Sequence, residues 1–447
     1  MSGVAGPRWA GVIMLEQTEL SFGAAVSAES PVAAHGSLAE ELAAFREFGE
    51  ATRVLSTRVG PVGGAPIEIP TYVNEFWTSK QRAAHPLHEI SYRACFKPQL
   101  PRFFIERLTK PGEAVYDPFM GRGTTLLEAA LLGRVPFGCD VNPLSRALVA
   151  PRLNPPELEA VDRRLSEIDL SESVEAPEDL LVFYHPDTLR EIGALKKYLL
   201  GRRASGQFDE VDAWIRMTAI NRLTGHSPGF FSVYSLPPNQ AVSVKSQRKI
   251  NERRNQTPPR RDVAQLILRK SRQLLKRLEA GEREALSKIS LGSELLTGQA
   301  DEARGIPDGS AALVVTSPPF LDVVDYAGDN WLRCWFLGVD PATVKISVPK
   351  KLENWQEIMT GVFRDLRRVL KPGGHVAFEV GEVRGGQVRL EEAAIPCGMA
   401  AGLRPLLVMI NDQKFTKTAN CWGVDNQVKG TNTNRVVVFR KPDVVVD

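Results

Sequence analysis

AVYDPFMGRGTTLLEAALLGRVPFGCD, Ala114 to Asp140, decides the fold. Ala114 to Phe119 is a short apolar run, as a strand buried on both faces shows. Gly121-Arg122-Gly123 is a turn. Thr124 to Leu132 has helical composition and stops at Gly133. Arg134 to Asp140 reads as a second strand ending in an acid. Strand, glycine turn, helix and strand make the first unit of a doubly wound α/β sheet. Ligands bind such sheets in the crevice at the carboxyl ends of the strands. Glycine in the turn lets backbone approach a ligand closely. The string lacks the GK[ST] ending of a phosphate-cradling loop. Asp140 stands roughly 20 residues past the turn, where an acid meets a ribose diol in dinucleotide folds. The competing reading is that it caps a helix starting near Asn142-Pro143.

A second string completes the site. Pro307-Asp308-Gly309 is a turn, and Ser310 to Val315, SAALVV, is another buried strand. It delivers TSPPF, Thr316 to Phe320, to the sheet edge. Two prolines stiffen the backbone and remove two N–H donors. What remains is a loop of carbonyl oxygens, one serine hydroxyl and an aromatic ring. That loop suits an exocyclic amine on a flat base. The amine would donate to Ser317 Oγ and to the Pro318 carbonyl, beside Pro319, while Phe320 stacks on the base. In-line transfer of a methyl group to the amine is then mostly a matter of positioning. No Pro-Cys pair stands near a strand end to act as a covalent nucleophile; Pro396-Cys397 falls at the start of an apparent helix.

Together, in this order, DPFMGRGTT and TSPPF resemble the cofactor and catalytic loops of the S-adenosylmethionine-dependent amino-methyltransferases, which modify cytosine N4 or adenine N6 in DNA. The resemblance runs from about Asn74 to Pro442, with an interruption. It includes His85 to Thr125, LRRVLKPGGHVAFEVG (Leu366 to Gly381) and KGTNTNRVVVFRK (Lys429 to Lys441), the last similar to the family's closing hairpin. It implies a Rossmann-like, seven-stranded methyltransferase sheet, S-adenosyl-L-methionine as cofactor and double-stranded DNA as partner. Cofactor contacts are expected at Asp117, Pro118, Phe119, Gly121, Gly123, Thr124, Asp140 and Asn142. By resemblance alone they extend to Tyr92, with Phe96 and Lys97 as further candidates. Family members with Ser-Pro-Pro are mostly cytosine-N4 enzymes, so cytosine is the expected target and adenine the alternative. The chain departs from the pattern at Gly298-Gln299-Ala300, where an acid is common and Asp301 comes late, at Ala312, and at Phe320 in place of tyrosine. These departures put the adenine-ring contact of the cofactor in doubt.

Composition sets the outer bounds. The chain has 447 residues, a net charge of +3, five scattered cysteines and six histidines. No CxxC pair or histidine cluster suggests a disulfide framework or a metal site. A reducing cytoplasm and no membrane or metal partner are the expectations. The first 65 or so residues read as a loosely ordered extension without a signal peptide, and Met14 is a second candidate start.

Between the second strand and a third near Glu294 to Thr297 lie about 150 residues, more than one crossover needs. Residues 151–292 are therefore read as a mostly helical insertion between cofactor and catalytic halves (66–150 and 293–447). Phe183 to Leu200 and Val211 to Gly225 have helical spacing. HSPGFFSVYSLPPNQ, His226 to Gln240, reads as an aromatic, proline-rich loop. From Lys245 to Arg277 there are twelve basic residues against Glu252 and Asp262. Lys245, Arg248, Lys249, Arg253, Arg254, Arg260 and Arg261 are the expected nucleic-acid contacts. The helix beyond them carries Val263, Leu266, Ile267, Leu274, Leu275 and Leu278 on one face, so an apolar face on the core and a basic face outward can coexist. After TSPPF, Tyr326, Trp331, Trp335 and Phe336 either wall a base pocket or pack on the helical cap. Two rival functions stay open. One is the same chemistry on structured RNA. The other is a non-catalytic nucleic-acid binder on a degenerate fold, for which Gln299 and Ala312 speak. A restriction endonuclease partner and a solitary role are equally open.

Overall fold

The computed structural model describes residues 37–62, 65–78, 84–93, 95–236, 241–321, 326–344, 349–383, 387–412 and 433–443. In chain order the strands are β1 (Arg53–Val62), β2 (Ala65–Asn74), β3 (Ala114–Asp117), β4 (Val135–Asp140), β5 (Glu294–Thr297), β6 (Ala311–Thr316) and β7 (Leu370–Val380). Then come a two-residue pair, β8 (Glu382–Val383) and β9 (Val388–Arg389), and last β10 (Arg404–Asp412) and β11 (Thr433–Arg440). Helices α1 (Leu38–Ala44), α2 (Gln99–Leu108), α3 (Thr124–Leu131) and α4 (Pro143–Leu153) precede the insertion. The insertion carries α5 (Leu158–Glu167), α6 (Pro186–Ala204), α7 (Glu210–Ile220), α8 (Val244–Arg254), α9 (Val263–Leu275) and α10 (Ala280–Ser290). α11 (Tyr326–Leu337) and α12 (Leu352–Val369) lie between β6 and β7, and α13 (Leu390–Ala400) between β9 and β10.

Among the described residues nine strands form one sheet in the order β1-β2-β10-β11-β7-β6-β3-β4-β5. β5, β4, β3, β6 and β7 are parallel to their neighbours, and β11 runs antiparallel between β7 and β10. These seven strands are the expected Rossmann-like methyltransferase sheet. β3 and β6 are buried along their whole lengths, as their apolar runs require. The chain winds outward from β3 through β4 to β5, then returns to place β6 on the other side of β3. The carboxyl ends of β3 and β6 thus flank the switch point of the topology, where such sheets bind ligands.

Two features extend the sequence reading. The segment before residue 65 holds α1 and β1, and the hairpin β1–β2 lengthens the sheet because β2 pairs in parallel with β10. The insertion has no core of its own. Trp214, Phe183 and Phe231 join Leu126, Leu127, Leu144 and Leu148 of α3 and α4 in one apolar cluster. Pro396-Cys397 lies inside α13, not at its start. Of the expected closing hairpin, residues 429–432 lie outside the described residues, and β11 is formed by residues 433–440.

Candidate active site

β3 ends at Asp117 and the chain turns through Gly121 and Gly123, at φ +46° and +73°. Side chains rarely adopt that backbone region, and a Cβ on Gly123 would lie 2.4 Å from Val149 Cγ2. Gly123 is the N-cap of α3. The Tyr92 ring lies over the turn, 3.5 Å from where a Gly121 Cβ would stand.

Asp140, at the end of β4, holds this turn from the side. Its Oδ2 accepts from the Gly121 N–H at 2.9 Å and its Oδ1 from the Asn142 N–H at 2.8 Å. Asn142 is the N-cap of α4, with Oδ1 accepting from the Leu144 N–H. Asp140 therefore braces the residue that caps α4, without being the cap itself as the competing reading had it, and also faces the cleft. Each of its oxygens keeps a second lone pair for a hydroxyl. Burial raises its carboxyl above the ordinary range, against the pull of the two amides.

Asp117 lies behind the turn, only 2% exposed. Its Oδ1 accepts from Thr316 Oγ1 at 2.6 Å and from the Phe119 N–H at 3.0 Å. Thr125 Oγ1 donates to the Val315 carbonyl at 3.0 Å. These bonds fasten the glycine loop to the strand that carries TSPPF, across 199 residues of chain. Burial pushes the Asp117 carboxyl up to about 7.

One cleft, with about 1040 Å³ of empty space, runs along this edge. Tyr92, Pro118, Phe119, Gly121, Asp140 and Asn142 line it together with Ser317 and Pro319. Asp117, Gly123 and Thr124 are buried and support the loop from below. Pro318 is buried, and Phe320 packs half-buried against the core under α12. Phe96 packs against the α2 side of the sheet and Lys97 is exposed; neither lines the cleft.

The far wall was not singled out in the sequence. Trp355, Ile358, Met359 and Val362 of α12 line it, facing Val141, Gly298, Gln299, Ala300 and Asp301. Asp301, late in the motif, still reaches the cleft. Trp355 Nε1 donates to the Pro319 carbonyl at 3.0 Å, so α12 grips the TSPPF loop. The helical spacing of Trp355, Met359, Val362 and Leu366 was a signal for a buried face, but not for which face of which cavity. Glu379 was also passed over. It is buried on β7, one residue past Phe378, which pairs with Thr316, and its Oε1 accepts from Asn434 Nδ2 at 3.0 Å. An acid inside VAFEV was the signal available.

This donor set fits S-adenosylmethionine. The apolar wall of α12 offers a slot for a flat base, and Asp140 offers acceptors for a diol beside a turn that only glycine tolerates. Gln299 and Asp301 supply polar groups at the edge of that slot.

The basic segment divides in two. Lys245, Arg248, Lys249 and Arg253 are exposed on α8, and no acid partner is recorded for them among the described residues. Arg254 is exposed and stacks over the Tyr234 ring at 3.8 Å. Arg260 pairs with Glu191 and lies 3.9 Å from Asp187. Arg261 is half-buried, with its backbone N–H donated to Thr188 Oγ1. The aromatic loop does not present its phenylalanines. Phe231 is fully buried and Phe230 lies under Arg222 at 4.1 Å, because the insertion needs them as core. Residues 237–240 of that loop lie outside the described residues. Trp331 donates to the Val242 carbonyl, Trp335 lies under Lys196 and Phe336 is buried, so these rings pack on the helical cap. The Tyr326 side chain lies outside the described residues. Among the described residues no helix is long and apolar enough to cross a membrane, and no His/Cys/Asp/Glu cluster could hold a metal.

Residues 68–147 match a family model described as DNA methylase, for N6 and N4 amino-methyltransferases. The chain is 30% identical over 152 residues to the type II methyltransferase M.MvaI of Kocuria varians, covering 33% of this chain and 30% of that protein. It is 23% identical over 291 residues to M.BsoBI of Geobacillus stearothermophilus, covering 60% and 56%. It thus spans under two thirds of the length of these curated relatives. Solved structures similar to it include TrmN from Thermus thermophilus, at TM-score 0.32 and 14% identity over 78% of this chain and 50% of that one. The rRNA methyltransferase aviRa from Streptomyces viridochromogenes gives TM-score 0.32 and 14% identity over 80% and 91%. Over residues 68–147, which carry the glycine loop, the chain is thus similar to the DNA methylases of the N6 and N4 amino-methyltransferase family.

Proposed function

We propose that this protein transfers a methyl group from S-adenosylmethionine to the exocyclic amine of a base flipped out of double-stranded DNA, with cytosine N4 as the target. The observation that carries the proposal is the sharing of one cleft by Ser317 and Pro319 with Gly121 and Asp140. Asp140 and Asn142 would hold the ribose end of the cofactor, the α12 wall its base, and Tyr92 and Phe119 the end nearest the catalytic loop. The cofactor supplies an electrophilic methyl group. Ser317 Oγ and the loop carbonyls accept the N–H groups of the amine, which directs the nitrogen lone pair into the cleft. The target base must leave its stack to enter, at a few kcal/mol. Ser-Pro-Pro supports cytosine over adenine, and the exposed cations of α8 support a phosphate backbone as partner. The type II class of the relatives extends the reading to a restriction endonuclease as functional partner.

The test is methyl transfer from labelled S-adenosylmethionine to genomic DNA and to total RNA, followed by nucleoside analysis. Label in N4-methylcytosine from DNA is the expected result. Label in N6-methyladenine moves the target, and label only in RNA overturns the substrate class. Ser317→Ala should lose about 10²-fold or more in single-turnover rate while keeping its affinity for S-adenosylhomocysteine. Full activity in that variant would remove Ser317 from the chemistry.

A further inference from the structure

Tyr92 forms part of the cleft wall, yet it stands in a stretch without regular secondary structure. No ladder of backbone bonds fixes its ring, so the residues beside it must. Both are held from outside the sheet. The Ser91 N–H donates to Oδ1 of Asn221, the residue that ends α7, at 2.9 Å. The Ser91 carbonyl accepts from Nη2 of Arg333 on α11 at 3.1 Å. Arg93 Nη1 donates to Oδ2 of Asp329, also on α11, at 2.7 Å. Arg333 is itself buried and donates to Asn330 Oδ1 at 2.9 Å. Its guanidinium lies 5.9 Å from the centre of the Tyr92 ring, at the outer edge of cation–π range.

The same turn of α11 has a second attachment. The Asp329 carbonyl accepts from the Ala241 N–H at 3.0 Å, and Trp331 Nε1 donates to the Val242 carbonyl at 3.3 Å. The next residue, Ser243, is the N-cap of α8, the helix of exposed cations. Residues 241–243 are as irregular as residues 91–93. One turn of α11 therefore anchors two irregular segments, one walling the cleft and one leading into the basic helix. Asp329 serves both, the first with its carboxylate and the second with its backbone. It is 8% exposed. A carboxylate so placed is costly without a cation, and Arg93 supplies one.

We propose that Asp329 is a positioning residue: through Arg93 it sets Tyr92 over the glycine turn, and through Ala241 it joins that wall to α8, so that nucleic acid on α8 and cofactor in the cleft raise each other's affinity. A ligand that orders the shared frame leaves less to be ordered by the other, and the coupling is reciprocal. The identity of the two ligands rests on the function proposed above.

The test is the affinity of the full chain for S-adenosylhomocysteine by calorimetry, alone and with saturating sheared genomic DNA or total RNA. In the wild type, DNA should tighten it by about 5-fold or more. Asp329→Asn keeps the size and the backbone bond to Ala241 but loses the charge that holds Arg93. It should bind S-adenosylhomocysteine about 10-fold more weakly, and DNA should no longer tighten that binding. Arg93→Ala should do the same, and the double variant should be no worse than either single one. In a Tyr92→Ala background Asp329→Asn should have no further effect, because a residue acting through Tyr92 has nothing left to position. Asp329→Glu, which keeps the charge, should recover part of the coupling. Wild-type affinity in Asp329→Asn overturns the inference. So does an equal loss with and without Tyr92, which would mark a role in the fold, and so does a wild type whose affinity neither nucleic acid changes. Tightening by RNA and not by DNA overturns the substrate class proposed above and upholds the coupling. A wild-type chain that binds no S-adenosylhomocysteine overturns the functional reading, and the inference with it.

Discussion

At the scale of single residues, Asp117 makes the sharpest statement about pH. Burial pushes its carboxyl up to about 7, against bonds from Thr316 and Phe119. An acid whose folded pKa exceeds its unfolded value of about 3.9 binds its proton better when folded. The stability it contributes is therefore full below about pH 4, falls as pH rises to about 7, and is level above. Asp117→Asn retains an oxygen for both bonds and removes the buried charge. It should exceed the wild type in denaturant stability at pH 8 by on the order of 2–4 kcal/mol, with the gain shrinking toward pH 4. A pH-independent difference would show that the carboxyl is not raised. Asp117 also illustrates what a motif conceals. Its place in DPF is legible, and the sequence reading made it a cofactor contact. The structure sets it behind the loop, where it joins two strands.

Among elements, α8 and α9 separate two meanings of one basic segment. On α9, Val263, Leu266, Ile267, Leu274 and Leu275 are buried as their spacing predicts. Lys270 goes inward with them, toward Glu89 and Gln273, and burial lowers its pKa to about 8. On α8 the cations remain outside. If α8 lies on nucleic acid, each phosphate contact contributes about −0.9 to the slope of log K against log salt. Replacing Lys245, Arg248, Lys249 and Arg253 together by alanine should flatten that slope by up to about 3.6, with S-adenosylhomocysteine affinity unchanged. Filter binding or anisotropy on duplex DNA at several salt concentrations measures it. An unchanged slope would make α8 a solvated face only. Arg260 is left out of this set because Glu191 already neutralises it.

The whole molecule places the cleft between two halves of the sheet, with β3 and β4 on one side, β6 on the other, and α12 closing it. A ligand that bridges these parts binds the folded state alone. S-adenosylhomocysteine at 100 times its Kd should add about 2.7 kcal/mol to stability and raise the thermal midpoint by a few degrees. A scanned melting curve that does not shift would count against the cleft as the cofactor site. The sequence by itself determined β3, the glycine turn, α3, β4 and β6, because apolar runs, positive-φ glycines and helix caps are properties of neighbouring residues. It likewise carried both loops of the candidate site. Only the tertiary structure decided that α12 walls the cleft, that Glu379 stands on the strand beside Thr316, that Phe230 and Phe231 are core rather than a recognition surface, and that β1 and β2 lengthen the sheet. Those outcomes depend on strand order and register. Periodicity says which face of an element is buried, and says nothing of what lies against it.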